Sequence, residues 1–319
     1  MERKDGTPSI DGPVTNPGPD LSVEIAGVRF TNPVMPASGA YEVDEIHDNF
    51  FSPSELGAVI NKTIFLNPRP GNPPPRIWET PCGMLNAIGI PSNGAEAFIR
   101  EKLPILRRLG PPVVVSIAGE TMDEWIQLSE MIEATGMADL LELNLSCPNL
   151  SEGIPWSTEE KTLERVVSTV VSRVKLPVIA KLSPVVTDIA DMARTAEAAG
   201  ASALSMINTY RGMAIDIRKK RPALGNITGG LSGPAIRPLA VWAVYSAHQT
   251  VKIPIIGMGG VDGPSAALEF LLAGASAVAV GMYNFIDPFT MKRTIEGIRE
   301  YLVEEGYGSV REIIGLAHG

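Results

Sequence analysis

Residues 254–284 read PIIGMGGVDGPSAALEFLLAGASAVAVGMYN, and the order of residue types in this stretch decides the fold. Pro254–Val261 is a short apolar run ending in glycines. Pro264 opens a helical stretch that runs to Ala273, Gly274 closes it, and Ala277–Asn284 is a second apolar run. A strand with one wet face alternates apolar and polar residues, whereas a strand covered on both faces is apolar throughout. Proline at the first helical position and glycine just past the last complete the pattern. The stretch is therefore a β–α–β unit with parallel, buried strands.

The same unit recurs along the chain. Further apolar runs lie at Val34–Gly39, Ala58–Ile64, Pro112–Gly119, Leu140–Cys147, Pro177–Pro184 and Ala203–Tyr210, giving eight strands in all. Helical patterns intervene at Thr121–Thr135, Thr158–Val174, Asp188–Ala199, Pro234–His248 and Pro264–Ala273, with Thr158, Asp188, Pro234 and Pro264 as opening residues and Gly200 and Gly274 as closing ones. Eight β–α units without a break in composition predict an α/β fold, a (β/α)₈ TIM barrel, over residues 21–319 as one domain. Leu21–Thr31, with Gly27 at its centre, predicts a β-hairpin that plugs the lower end of the barrel. A doubly wound dinucleotide fold would need a G-x-G-x-x-G turn after the first strand. Ala37-Ser38-Gly39-Ala40 stands there instead.

Composition narrows the function. With 27 basic and 36 acidic side chains the net charge is −9, and the basic run Arg218–Arg221 reads as a solvated loop. A nucleic-acid partner needs an extended basic face, so none is expected. Two cysteines and three histidines, none at ligand spacing, predict neither a disulfide framework nor a protein-built metal site. Residues 1–20, rich in Pro, Gly and Asp, read as a disordered lead without a signal or transit pattern, and no apolar stretch is long enough for a membrane span. A cytoplasmic enzyme is the expectation.

In such a barrel the chemistry gathers at the C-terminal ends of the strands. Those ends carry Ser38-Gly39, Asn61-Lys62-Thr63, Ser116, Asn144 to Asn149, Lys181, Asn208-Thr209, Gly257 to Gly260 and Gly281. Buried lysines are costly without an anionic partner, so Lys62 and Lys181 predict negative charge in or near the cavity. Gly257, Gly259, Gly260 and Gly281 fall where barrels bind phosphate through backbone N–H groups, and the segment Gly229–Gly233 is expected to add to that cup. Cys147 ends strand four ahead of Pro148, and the polar loop Leu150–Ser157 follows. A thiol there can act as a base if nearby amides or lysines lower its pKa. Cys82 has no adjacent base and reads as a packing residue.

Asn144-Leu145-Ser146-Cys147-Pro148-Asn149 occurs together with Gly83-Met84-Leu85-Asn86-Ala87-Ile88-Gly89, Ile207-Asn208-Thr209, Gly229-Gly230-Leu231-Ser232-Gly233-Pro234 and Gly257-Met258-Gly259-Gly260-Val261. In this order, these motifs resemble class 1 dihydroorotate dehydrogenase from about Leu21 onward. The class 2 enzymes use serine as the base and carry an N-terminal membrane helix, and this chain has neither.

The resemblance implies bound FMN and oxidation of dihydroorotate to orotate in pyrimidine synthesis. Cys147 would remove the C5 proton while the C6 hydride passes to flavin N5. Asn86, Asn144, Asn149, Asn208 and Thr209 would hold the substrate, with backbone N–H groups of Ile88, Gly89 and Ile90. Lys62 would lie between substrate and flavin, and Lys181 at the flavin N1/O2 edge. Ala37, Ser38, Gly39, Thr63, Ser116, Asn144, Ile207, Gly233, Gly259, Gly260, Gly281 and Met282 would complete the flavin site.

The family usually has asparagine where Ser116 stands, threonine where Met282 stands, and a different loop at Ser151–Trp156. An enzyme for another dihydropyrimidine, such as dihydrouracil, stays open as an alternative, although that branch usually has histidine at the position of Asn149. A non-catalytic FMN-binding barrel is the alternative from another class. Gly71-Asn72-Pro73, Gly83–Gly89 and Asn208–Met213 look more like the NAD-linked class 1B than the fumarate-linked class 1A. That branch implies a partner subunit with FAD and a [2Fe–2S] cluster, docked on a homodimer core to make a heterotetramer.

Overall fold

The computed structural model describes residues 18–41, 50–145 and 156–319. Eight parallel strands form the barrel sheet: Val34–Pro36, Val59–Ile60, Val113–Ile117, Leu140–Asn144, Val178–Lys181, Ala203–Met206, Ile255–Met258 and Ala277–Val280. They are strands one to eight below. The sheet runs in the order two, three, four, five, six, seven, eight, one, so every expected strand is present in its expected place. Every residue of these eight strands is buried, which is why the strands read as continuous apolar runs.

Strands one and two close the barrel without a regular ladder. Low in the seam the Gly57 N–H donates to the Val34 carbonyl at 2.8 Å. At the top, Ser38 Oγ donates to the Asn61 carbonyl at 2.9 Å and accepts from the Thr63 N–H at 3.0 Å. The Ser38 hydroxyl thus stands in for the backbone bonds that the seam lacks.

Helices cover the outside. The expected helices appear at Met122–Ala134, Glu160–Val171, Ile189–Ala198, Arg237–His248 and Pro264–Leu272, and a further one, Thr290–Glu305, packs against strand one and the helix Pro264–Leu272. Asp188 caps its helix through the Ala190 and Asp191 N–H groups. Thr158 does not cap: the position falls to Glu159, which makes no side-chain cap bond. Gly200 and Gly274 end their helices with φ of +95° and +108°, as their positions require.

The hairpin forms from Val23–Ile25 and Val28–Phe30, with Val23, Ile25 and Phe30 buried and Glu24 and Arg29 outward. It leads directly into the lower end of strand one. Just before it, the Asp20 N–H donates to the Gly308 carbonyl and its carboxylate pairs with Arg311, so Asp20 is tied to the C-terminal segment. Residues 1–17 of the expected lead lie outside the described residues.

One element has no counterpart in the sequence reading. A four-stranded antiparallel sheet is built from Ile77–Thr80, Gly83–Asn86, Tyr210–Gly212 and Gly229–Ser232. Two of its strands lie in the connection after strand two and two in the connection after strand six, so it stands at the C-terminal end of the barrel. Asn86 pairs with Gly230 and Met84 with Ser232. Gly229 and Gly230 therefore serve this sheet and not a phosphate cup.

Candidate active site

Glu142 and Asn144 are two residues apart on strand four, so the pleat sends both to the same side, into the barrel. The ladders set Ser116 of strand three beside Glu142, and Lys181 of strand five beside Asn144 and Ser205 of strand six. Five polar side chains from neighbouring strands thus meet within two pleats. Glu142 Oε1 accepts from Ser116 Oγ at 2.9 Å and lies 3.5 Å from Lys181 Nζ, and Oε2 accepts from Ser205 Oγ at 2.9 Å. The side chains of Lys181 and Glu142 are only 6% and 2% exposed. The anion that a buried Lys181 demands is therefore supplied by the chain itself. Removing one partner of such a pair typically costs about 3–5 kcal/mol, because an uncompensated charge stays behind.

A hydrogen-bonded row rises from this pair. Ser116 Oγ and Thr63 Oγ1 are 2.8 Å apart, Asn144 Nδ2 donates to Thr63 Oγ1 at 3.0 Å, and Asn208 Nδ2 donates to Asn144 Oδ1 at 3.4 Å. Asn208 Oδ1 accepts from the Thr209 N–H at 2.8 Å. Thr63, Asn144, Asn208 and Thr209 are thus brought together as expected, with Ser38 on Thr63 at 2.9 Å. Ser116 is brought in as well, but fully buried, with its hydroxyl engaged by Glu142 and Thr63. Asn61 holds Ser116 in place from the side, accepting from its N–H at 2.7 Å. Lys62 follows Asn61, and its aliphatic stem lies beside Gly39.

The antiparallel sheet supplies the other wall. Asn86 ends its second strand and donates to the Gly230 carbonyl at 3.4 Å. The next turn, Ile88-Gly89-Ile90, is backed by Asn72, whose N–H donates to the Ile88 carbonyl and whose side chain donates to the Ala87 carbonyl, both at 3.1 Å. Gly89 and Ile90 both take positive φ, +76° and +45°, and the second is rare for a β-branched residue. Tyr210 follows Thr209 into the sheet, where burial pushes its phenol up and keeps it protonated.

Glycines of three loops converge on the far side. Gly259 and Gly260 follow strand seven with φ of +120° and +85°, and Gly233 precedes the Pro234–Ile236 turn with φ of +104°. A Cβ on Gly260 would lie 2.8 Å from the Gly233 carbonyl oxygen, and one on Gly233 would lie 2.7 Å from Gly83 Cα and 2.8 Å from Met282 Cε. Gly281, just after strand eight, faces open space. The loop backbones pack here too closely for side chains, and they form a glycine cradle at the start of a helix, which suits a phosphate. Gly257 has another task, since a Cβ there would strike Phe270 at 2.6 Å. Ile207, joined to Met206 by a cis peptide, is buried beside Gly259. Gly233→Ala should cost at least about 2 kcal/mol, combining left-handed strain with overpacking. Gly281→Ala should be nearly neutral, and urea melts of the two variants check the contrast.

Cys147 and Asn149 lie outside the described residues. The points where their segment leaves and rejoins the fold are fixed. The Ser157 N–H donates to the Leu145 carbonyl at 3.1 Å, and Trp156 Nε1 donates to the Gly119 carbonyl at 2.9 Å while its ring meets Trp125 edge-on. Cys82, read as a packing residue for want of an adjacent base, is instead exposed. Among the described residues no group of His, Cys, Asp and Glu is arranged to hold a metal ion, and no helix is long and apolar enough to cross a membrane.

A barrel with a lysine–carboxylate pair, an amide row and a glycine cradle at one mouth is the architecture of a nucleotide-cofactor oxidoreductase. The family model for dihydroorotate dehydrogenase matches residues 20–302, and the chain belongs to that family. Its relatives include proteins named dihydroorotate dehydrogenase B (NAD(+)), catalytic subunit. That of Geotalea uraniireducens is 48% identical over 298 residues, covering 93% of this chain and 98% of the relative. That of Desulforudis audaxviator is 48% identical over 298 residues, covering 93% and 97%. That of Desulforamulus reducens is 46% identical over 301 residues, covering 94% and 99%. The resemblance drawn from the five motifs, including its class 1B branch, is borne out.

Proposed function

We propose that this chain is the catalytic subunit of an NAD-linked, class 1B dihydroorotate dehydrogenase, oxidising dihydroorotate to orotate in pyrimidine synthesis with FMN. The observation that carries the reading is the convergence, at one barrel mouth, of the Lys181–Glu142 pair, the Asn144–Asn208 row and the cradle of Gly233, Gly259 and Gly260. The family as a whole is FMN-dependent, and the residues present fit that group. The glycine cradle at a helix start suits a phosphate, and Lys181 is a fixed cation suited to the ring edge on which reduction places negative charge.

When bound, FMN supplies the acceptor for the hydride from C6 of the substrate. Backbone N–H groups of Gly233, Gly259, Gly260, Gly281 and Met282 would hold its phosphate, and Ala37, Ser38, Gly39, Thr63 and Ile207 would line the ring. Ser116 would serve indirectly, through Thr63 and Glu142. Lys62 would contact both ring and substrate. Asn86, Asn144, Asn149 and Asn208 present both donors and acceptors to the carboxylate and imide-like ring of dihydroorotate, aided by Thr209 and the backbone of Ile88–Ile90. Cys147 takes the C5 proton as a thiolate base. Electrons leave through a partner carrying FAD and a [2Fe–2S] cluster, docked on a homodimer core in the cytoplasm.

The test is direct. The purified chain should be yellow and should bleach on anaerobic addition of dihydroorotate. A colourless chain that takes up no FMN sinks the reading, and bleaching by dihydrouracil alone moves it to the other dihydropyrimidine branch.

A further inference from the structure

We infer that Glu142 is a positioning residue whose carboxylate anchors the foot of the hydrogen-bonded row that carries Asn144 and Asn208, and offsets the charge that Lys181 brings to the cavity. The argument needs only a count of protons. As the anion of an ion pair, Glu142 accepts and does not donate. Ser116 has one hydroxyl proton, and it goes to Glu142 Oε1. Ser116 can then only accept from Thr63, whose single hydroxyl proton is shared between Ser116 and Ser38 Oγ, 2.9 Å away. Thr63 Oγ1 in turn accepts from Asn144, so the amide atom facing it is nitrogen and the opposite one oxygen. That oxygen faces Asn208, whose near atom is therefore nitrogen.

The far end checks the count independently. The Thr209 N–H only donates, so the Asn208 atom beside it is oxygen, as the row requires. Donors thus run Asn208, Asn144, Thr63, Ser116, Glu142, fixed at one end by a carboxylate and at the other by a backbone amide. A second set of bonds holds the carboxylate itself. Ser205 binds Oε2, and Lys181 lies beside Oε1, with Glu142 2% exposed. The same carboxylate offsets the positive charge that Lys181 brings to the cavity. Glu142 touches neither substrate nor cofactor in this account; it acts through Ser116, Thr63 and Lys181. The inference rests on the flavin reading proposed above.

Glu142→Gln keeps the shape, removes the charge and gives the position an N–H₂ that can donate. Once the amide donates to Ser116, the foot of the row reverses as far as Thr63, while the Thr209 N–H still holds the far end. In the FMN-loaded variant, the flavin midpoint potential should become more positive, because an anion has been removed beside Lys181. Orotate affinity, read by calorimetry, should fall about tenfold, the cost of mispairing one or two buried groups. A purely structural role for Glu142 would weaken orotate without raising the potential. Either readout at its wild-type value therefore overturns the proposal.

If Glu142→Gln does not fold, Ser116→Ala cuts the row below Thr63 and leaves both charges in place. It should weaken orotate severalfold at an unchanged potential, and wild-type affinity in that variant overturns the proposal. A wild-type chain that takes up no FMN sinks the flavin reading and this inference with it. A yellow wild-type chain whose variants match it sinks the inference alone.

Discussion

Replacing Cys147 by alanine should leave a chain that still takes up FMN and binds orotate, yet is reduced by dihydroorotate some ~10²–10⁴-fold more slowly. The size follows from the chemistry. The C5–H bond is not acidic enough to break without a base, whereas substrate binding is spread over the amides and the Ile88–Ile90 turn. Loss of the thiol should therefore show in the rate of bleaching and scarcely in affinity. Anaerobic stopped-flow of the variant checks this, with orotate titration as the companion measurement. Reduction within a few-fold of wild type would remove Cys147 from the chemistry. Cys82→Ala is the control: Cys82 is exposed, and its replacement should be nearly silent. The two outcomes together separate a catalytic thiol from a general sensitivity to cysteine loss.

The eight barrel strands were legible because parallel strands buried on both faces are written as apolar runs, and nothing else in the chain has that texture. The antiparallel sheet was not. Its strands are short, rich in glycine and partly exposed, and its central pairing joins Met84 to Ser232, far apart in sequence. No local periodicity reports a partner at that distance. Glu142 was passed over for a related reason. A single charge inside Leu140–Asn144 looks like an outward residue of a buried strand, and its meaning depends on Lys181 one strand away. The available signal was the coincidence of depth. Ser116, Glu142, Lys181 and Ser205 each interrupt an apolar strand, and ladder register sets them side by side. The glycine motifs were legible as a group but not individually. Gly233 and Gly260 meet in the cradle, whereas Gly257 packs on Phe270 and Gly230 belongs to the sheet.

The purified chain alone should oxidise dihydroorotate with an artificial dye as acceptor and leave NAD untouched, and adding the partner subunit should restore NAD reduction. The relatives are named as catalytic subunits of NAD-linked enzymes, yet this sequence offers nothing that recognises a dinucleotide. The turn after strand one is Ala37-Ser38-Gly39-Ala40, which is not the G-x-G-x-x-G fingerprint of a dinucleotide fold. Gly229 and Gly230 hold the antiparallel sheet, and Gly233, Gly259 and Gly260 pack together in the cradle proposed for the FMN phosphate. A single-electron relay is also missing from the sequence, because an iron–sulfur cluster takes about four thiolates and the chain has two cysteines. On the proposed reading, electrons taken from dihydroorotate cross to another polypeptide before they reach NAD. Rapid-mixing assays of the isolated chain and of the reconstituted complex, with dye reduction as the common reference, measure this. NAD reduction by the isolated chain at the dye rate would refute the partner requirement. Efficient fumarate reduction by the isolated chain would instead place it functionally with class 1A.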